Sequence, residues 1–221
     1  IMIDKLIRPI VIKDIEYLVN SYDKVSFDLW EEKKGWHFYT RMVQLKFLKD
    51  CLKLNKYLKL DGETFSKVGK VVSELFVSLE DHICENENGK FIISSFDENG
   101  QTTKYEDAAN MLADCHIDYD EEILEKFPLE YTLHTINNLL EHFSKKYSND
   151  DNLCIGRYIN DKYYNGHAWI ICTISLAQVY LEIYKKRNKK IKRQSMDRAI
   201  SNPNNDLFIK ANYILEKILT I

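Results

Sequence analysis

Residues 156–178 read GRYINDKYYNGHAWIICTISLAQ. The first part is polar and aromatic and predicts a loop. The second runs on as WIICTISLAQVYLEIYKKRN, apolar nearly all round in its centre, and predicts a buried helix. A long loop with functional-looking side chains, feeding a buried helix, is the unit around which the rest of the chain is read.

Working outward, NDLFIKANYILEKILTI puts Phe208, Ala211, Ile214, Leu215 and Ile218 on one side of a closing helix. Upstream, PLEYTLHTINNLLEHFSKKYS predicts a helix with Pro128 in its first turn. KYEDAANMLADCHID predicts a short helix with Ala108, Met111 and Leu112 inward. HFYTRMVQLKFLKDCLKLNKYLKL carries Phe38, Met42, Leu45, Leu48 and Leu52 at helical spacing. DGETFSKVGKVVSELFVSLEDHICE does the same with Phe65, Val68, Val72, Leu75, Phe76 and Leu79, and the short turn at Asp61-Gly62 makes these two helices antiparallel neighbours. Ile12, Ile15, Leu18 and Val19 mark a first helix with Pro9 near its start. VSFDLWEEKKGW has no consistent period and reads as a loop, and ENENGKFIISSFDENGQ as turns with a brief extended piece at 91–93. Only 7 glycines and 3 prolines agree with helices over a turn-rich β architecture. Helix pairs joined alternately by short and long loops point to an α/α toroid or an α-solenoid. No repeat of about 34 or 40 residues of the solenoid kind is present. The toroid, which gathers its long loops at one end where a pocket can form, fits better.

The 221 residues suit one large domain or two small ones, and 45% hydrophobic with 29% charged residues is an ordinary globular composition. A net charge of −3 without basic bias argues against nucleic acid as a partner. No apolar run approaches membrane-spanning length, so no membrane partner is expected. The five cysteines are odd in number and scattered without a CxxC pair, which favours free thiols in a reducing, cytoplasmic setting over disulfides or a zinc site. The six histidines show no HExxH and no ligand cluster, so neither metal nor cofactor is expected. His37 reads as a helix-start residue, His134 and His142 as solvent or cap positions, and the run KKRNKKIKR (185–193) as a basic helix end facing water.

Two loops concentrate the chemistry. FDLWEEKKGWHFY (27–39) sets Glu31 beside Glu32, after Trp30 and just past Asp28. GRYINDKYYNGHAW adds Arg157, Tyr158, Asp161, Tyr163, Tyr164, Asn165 and Trp169. Carboxylates and a guanidinium suit vicinal hydroxyls, and sugar C–H faces rest on Trp and Tyr rings. These stretches resemble glucoamylases, glycoside hydrolase family 15. FDLWEE followed by HFYTRMVQ is similar to that family's (Y/F)DLWEE…FFT…VQ segment, and GRYINDKYYNGHAWIICTISLAQ to its GRYPEDxYYNGNPWxLCTxAxAE segment. SSFDENGQTTKYEDAANMLADCHI shares part of the pattern of its KDANTLLGSIH region.

The resemblance implies an all-α fold, the middle part of an (α/α)6 toroid, in a single partial catalytic domain over 1–221. It implies an inverting hydrolase that takes glucose from the non-reducing ends of α-1,4-glucans or maltooligosaccharides. Residue by residue, Glu31 matches the general acid; Asp28, Trp30 and Glu32 match pocket residues around it; Arg157, Tyr158, Asp161 and Trp169 match the second pocket segment, with Arg157 at the sugar hydroxyls. A general acid must keep its proton at the working pH, and a neighbouring carboxylate and an aromatic wall both favour the protonated form. Glu31 has both as sequence neighbours.

The sequence also departs from the family. Ile159-Asn160 replaces a Pro-acid pair and His167-Ala168 an Asn-Pro. The motif that carries the family's general base, and the upstream W-x-R-D loop, are not found, so the base is expected outside this chain. The remaining barrel segments are expected from flanking sequence, and apolar faces should show on the first and last helices. Two other readings stay open: an inactive or split-gene fragment, and a helical carbohydrate-binding or interaction protein.

Overall fold

A computed structural model describes residues 3–87, 89–117, 120–147, 154–194 and 205–219. In chain order the helices are α1 (Arg8–Val19), α2 (Phe38–Lys53), α3 (Asn55–Leu58), α4 (Gly62–Glu80), α5 (Ala108–His116), α6 (Glu121–Lys126), α7 (Leu129–Tyr147), α8 (Ile170–Gln194) and α9 (Asn205–Leu219). Six short strands accompany them: β1 (Ser26–Phe27), β2 (Lys34–His37), β3 (Ile83–Asn86), β4 (Gly89–Ile92), β5 (Ser95–Phe96) and β6 (Thr102–Lys104). The chain divides into two compact units, residues 1–85 with 93–105, and residues 86–92 with 106–221.

The first unit is built on α2 packed against α4. Asp61 starts α4 by accepting the Thr64 N–H at 2.8 Å, the capping that an aspartate just before a helix supplies. Phe38, Met42, Leu45 and Leu48 from α2 meet Val68, Leu75, Phe76 and Leu79 from α4, all buried as the spacing predicted. Each such side chain stabilises the fold by about 1.5–3 kcal/mol. The register of α4 is slightly rotated from expectation: Val71 is buried, while Phe65 is 41% exposed. On α1 only Ile15 is buried.

Against α2 lies a small sheet of order β1-β2-β5-β6. Here the sequence reading fails, because 25–36 is not a plain loop. β1 and β2 form an antiparallel hairpin, with Ser26 opposite Gly35 and Phe27 opposite Lys34. Gly35 is required: a Cβ there would lie 1.9 Å from the Phe96 carbonyl oxygen across the β2–β5 pairing. Strands of two to four residues are too short for a period of two to show in sequence.

The second unit holds α5 to α9, with β4 against α7. α5 is started by Asp107, whose carboxylate accepts the Ala109 N–H at 2.8 Å. Ala108, Met111 and Leu112 are buried as expected. α8 packs on α5 and α9. It is not buried all round: Cys172, Leu176, Ala177, Val179 and Ile183 face inward, whereas Ile170, Ile171 and Ile174 are exposed. α9 buries Leu207, Ala211 and Ile214 and exposes Phe208, Ile209 and Leu219. Exposed apolar side chains also lie near the first helix, at Leu6 and Ile10.

The basic run continues α8, and its side chains from 189 onward lie outside the described residues. All five cysteines are free thiols. No described helix is long and apolar enough to cross a membrane.

Candidate active site

The β1–β2 hairpin carries the first motif in its loop, residues 28–33. The Asp28 N–H donates to the Lys33 carbonyl at 2.9 Å and the Glu31 N–H to the Asp28 carbonyl at 3.0 Å. Asp28 Oδ1 accepts the Glu32 N–H at 2.8 Å. This is an aspartate-capped turn, the local bonding for which short acidic side chains are suited. It holds Glu31 in the left-handed region, φ 58°, which costs a residue with a Cβ about 1–2 kcal/mol. Asp28 itself is buried, and its other oxygen, Oδ2, receives Lys104 Nζ at 2.6 Å. Lys104 also lies 3.7 Å from Glu32 Oε2. Burial pushes the Asp28 carboxyl up, but the Lys104 hydrogen bond and the turn's N–H groups outweigh it and hold the group below its ordinary range.

The sequence reading set Glu31 against Trp30, flanked by the carboxylates of Glu32 and Asp28. In the structure Glu31 is exposed, Trp30 is half-buried, and the charge of Asp28 is met by Lys104. His37 is more than a helix start. Its ring is buried in the sheet, with Nε2 3.0 Å from the Ser26 carbonyl and Nδ1 2.8 Å from Ser95 Oγ. A carbonyl can only accept, so Nε2 carries the proton and Nδ1 accepts from the serine. Burial pulls the proton affinity of His37 down, against the Ser26 carbonyl and the Asp28 charge. His82 is fully buried between Phe38 and Phe96, ring centroids 5.7 and 4.9 Å away, and its Nδ1 donates to the Ile93 carbonyl. Burial drives its pKa down to about 3.

The second motif lies in the other unit. Arg157 is buried, and its Nε and Nη2 make the two bonds of a fork to Asp161, 2.8 Å to Oδ2 and 2.7 Å to Oδ1. Asp161 Oδ1 also accepts the Tyr163 N–H at 2.8 Å. Burial alone would raise the Asp161 carboxyl; the Arg157 bonds reverse this and lower it. The guanidinium sits 4.8 Å from the Tyr163 ring and 5.3 Å from the rings of Tyr158 and Trp169. Such a bidentate pair boxed by aromatic faces suits arginine and not lysine.

The loop is anchored at several points. The Ala108 N–H donates to the Arg157 carbonyl at 2.6 Å, the Trp169 N–H to Ile155 at 2.9 Å, and Lys146 Nζ to the Asn165 and Gly166 carbonyls. Gly166, φ 61°, admits no Cβ, which would meet the Asp161 carbonyl oxygen at 2.3 Å. Arg157 and Asp161, expected in the pocket segment, are both buried. The aromatic side chains that the loop presents outward are Tyr163, 50% exposed, and Tyr164, 72% exposed, beside the exposed Asn160, Lys162, Asn165 and His167; Tyr158 and Trp169 are half-buried. His134 and His142 are half-buried, not at solvent: His134 stacks on Phe91 at 5.3 Å and His142 meets Phe143 edge-on.

Sequence reasoning missed Lys104, Ser95, the inward role of His37, and Lys146. Lys104 lies in a stretch already quoted, TTKYEDAANML, but nothing local ties it to Asp28. Among the described residues no group of His, Cys, Asp and Glu could hold a metal ion.

The described helical fold is the one seen in solved glucoamylases. It matches the glucoamylase from Saccharomycopsis fibuligera with a TM-score of 0.71 and 22% identity, over 99% of this chain and 53% of that one. It matches the family 15 glucoamylase from Hypocrea jecorina with a TM-score of 0.69 and 23% identity, over 95% and 35%. The fold class is thus the helical one of these hydrolases, part of an (α/α)6 toroid. The description Glycosyl hydrolases family 15 matches residues 1–201, and the chain belongs to that family. Among curated proteins, it is 29% identical over 229 residues to glucoamylase GLA1 of Saccharomycopsis fibuligera, covering 96% of this chain and 43% of that protein. It is 28% identical over 200 residues to glucoamylase 1 of Rhizopus oryzae, covering 81% and 31%. The chain therefore spans less than half the length of these relatives.

Proposed function

We propose that this chain is part of the catalytic domain of an inverting glucan 1,4-α-glucosidase, with both units belonging to that one domain. The substrate is an α-1,4-glucan such as starch, glycogen or a maltooligosaccharide, and glucose leaves from the non-reducing end. Glu31 is the general acid and hands its proton to the departing glycosidic oxygen. Asp28, Trp30 and Glu32 shape the pocket around it. Arg157, held by its fork to Asp161, meets sugar hydroxyls, and Tyr158 and Trp169 belong to the same pocket segment.

The observation that carries this reading is the Glu31 turn. An exposed glutamate is held in a disfavoured backbone region, in a turn capped by the Asp28 of a buried Asp28–Lys104 pair. Backbone strain kept by surrounding bonds is a mark of functional positions. The family membership and the order of both motifs support the same assignment.

Inversion calls for a second carboxylate about 6.5–9.5 Å from the acid, holding a water on the opposite face of the sugar. Proton NMR of glucose freshly released from maltooligosaccharides by the intact protein tests the reaction. Appearance of the β-anomer first supports the mechanism; the α-anomer first would rule it out.

A further inference from the structure

We propose that Lys104 is a positioning residue for the Glu31 turn, acting as the closing link of a ring that runs across all four strands of the first unit's sheet. The ring starts at Ser26 on β1, whose carbonyl accepts from His37 on β2. His37 accepts from Ser95 on β5. Ser95 is paired in register with Lys104 on β6. Lys104 then reaches back over the sheet to Asp28, which caps the turn and returns the chain to β1.

The side chains of Lys104 and Asp28 are only 6% and 4% exposed, so the pair is shielded from water and salt. Both N–H groups around Glu31 end on Asp28: that of Glu31 on its carbonyl and that of Glu32 on its carboxylate. The orientation of the Glu31 side chain therefore depends on where Asp28 stands, and Lys104 fixes Asp28. Lys104 also stands 3.7 Å from Glu32 Oε2, so one ammonium holds both carboxylates that flank the acid. An acid displaced by an ångström loses catalytic efficiency steeply, and supporting contacts of this kind typically matter about 10–100-fold.

The function of this arrangement rests on the reading of Glu31 as the acid; its geometry does not. Two measurements keep them apart. The first is amide hydrogen exchange. In Lys104→Met the Glu31 and Glu32 N–H groups should exchange about tenfold faster or more, while amides within α2 and α4 keep their protection; Lys104→Arg should restore much of the protection. Unchanged exchange at Glu31 and Glu32 in folded Lys104→Met overturns the proposal, as does a uniform loss across α2 and α4. Should Lys104→Met not fold, Asp28→Asn decides. It keeps the shape and the cap oxygen but removes the charge that Lys104 meets, and exchange at Glu31 like that of the parent overturns the proposal.

The second measurement is hydrolysis by the intact protein. Lys104→Met should lower kcat about 10–100-fold with little change in KM, and Lys104→Arg should recover part of it. A folded Lys104→Met with parental kcat overturns the positioning role. Full activity in Glu31→Gln instead overturns the reading of Glu31, and leaves the exchange result to stand or fall by itself.

Discussion

The two motif loops each bury an ion pair, but they close it over very different lengths of chain. Arg157 reaches Asp161 four residues on, within one loop. Lys104 reaches Asp28 across 76 residues, from the last strand of a sheet to the loop joining its first two. The Arg157 loop is a self-contained object, pinned by its own fork and by nearby helix groups. The Glu31 turn is a product of the whole first unit and exists only if four short strands align. The proposed acid thus sits on the more conditional of the two loops, and its environment is set by distant residues.

Acid should break this comparison most strongly, because several groups act together. His37 and His82 are both held neutral by burial, so below about pH 6.5 the unfolded chain takes up protons that the folded unit refuses. Stability of the first unit is fully present above that pH and falls as pH drops toward 3. Asp28 and Asp161, both lowered, release their partners only further down, below the ordinary carboxylate range. In the second unit, the histidine lowered by burial, His142, is only half-buried. Urea titrations of single-tryptophan variants should show Trp36 reporting loss of the first unit at higher pH than Trp169 reports loss of the second. Coincident transitions at every pH would contradict the assignment.

Next in size is Arg157→Met. It strands the Asp161 carboxylate in a buried site, and breaking a buried pair by removing one partner costs about 3–5 kcal/mol. Denaturant midpoints should fall accordingly, with the Trp169 signal affected first. Gly35→Ala should cost about 1–3 kcal/mol as β2 and β5 shift to admit the methyl group. It should disturb Trp36 and leave Trp169 in place, which sharpens the contrast between a loop that depends on the sheet and one that does not.

How far each loop could be read from sequence follows the same division. The Arg157–Asp161 spacing and the surrounding aromatics lie in one quoted stretch, and the buried faces of α2 and α5 follow from spacing alone. Lys104 could not be matched to Asp28, because long-range pairing leaves no local pattern. The strands, two to four residues each, were too short to alternate visibly. On α8 the apolar character was legible but its burial was not: Ile170, Ile171 and Ile174 look like core residues and are exposed. Arg157 reads as a ligand contact because its chemistry suits sugar hydroxyls. Its fork to Asp161, which holds the guanidinium in place, has no counterpart in that reading.

The smallest expected effect is that of Glu31→Gly. Glycine relieves the left-handed backbone but loses more chain entropy on folding, so stability should change by only about 0–1 kcal/mol, upward if at all. Thermal melts check this. A large loss would mean that the Glu31 side chain has a packing role.

The most direct measurement is the rate of glucose release from maltose by the intact protein and by its Glu31→Gln variant. General acid catalysis contributes about 10²–10⁴-fold, and a loss of that size in a variant with parental stability is the predicted result. A Glu31→Gln protein that hydrolyses maltose at the parental rate would contradict the account.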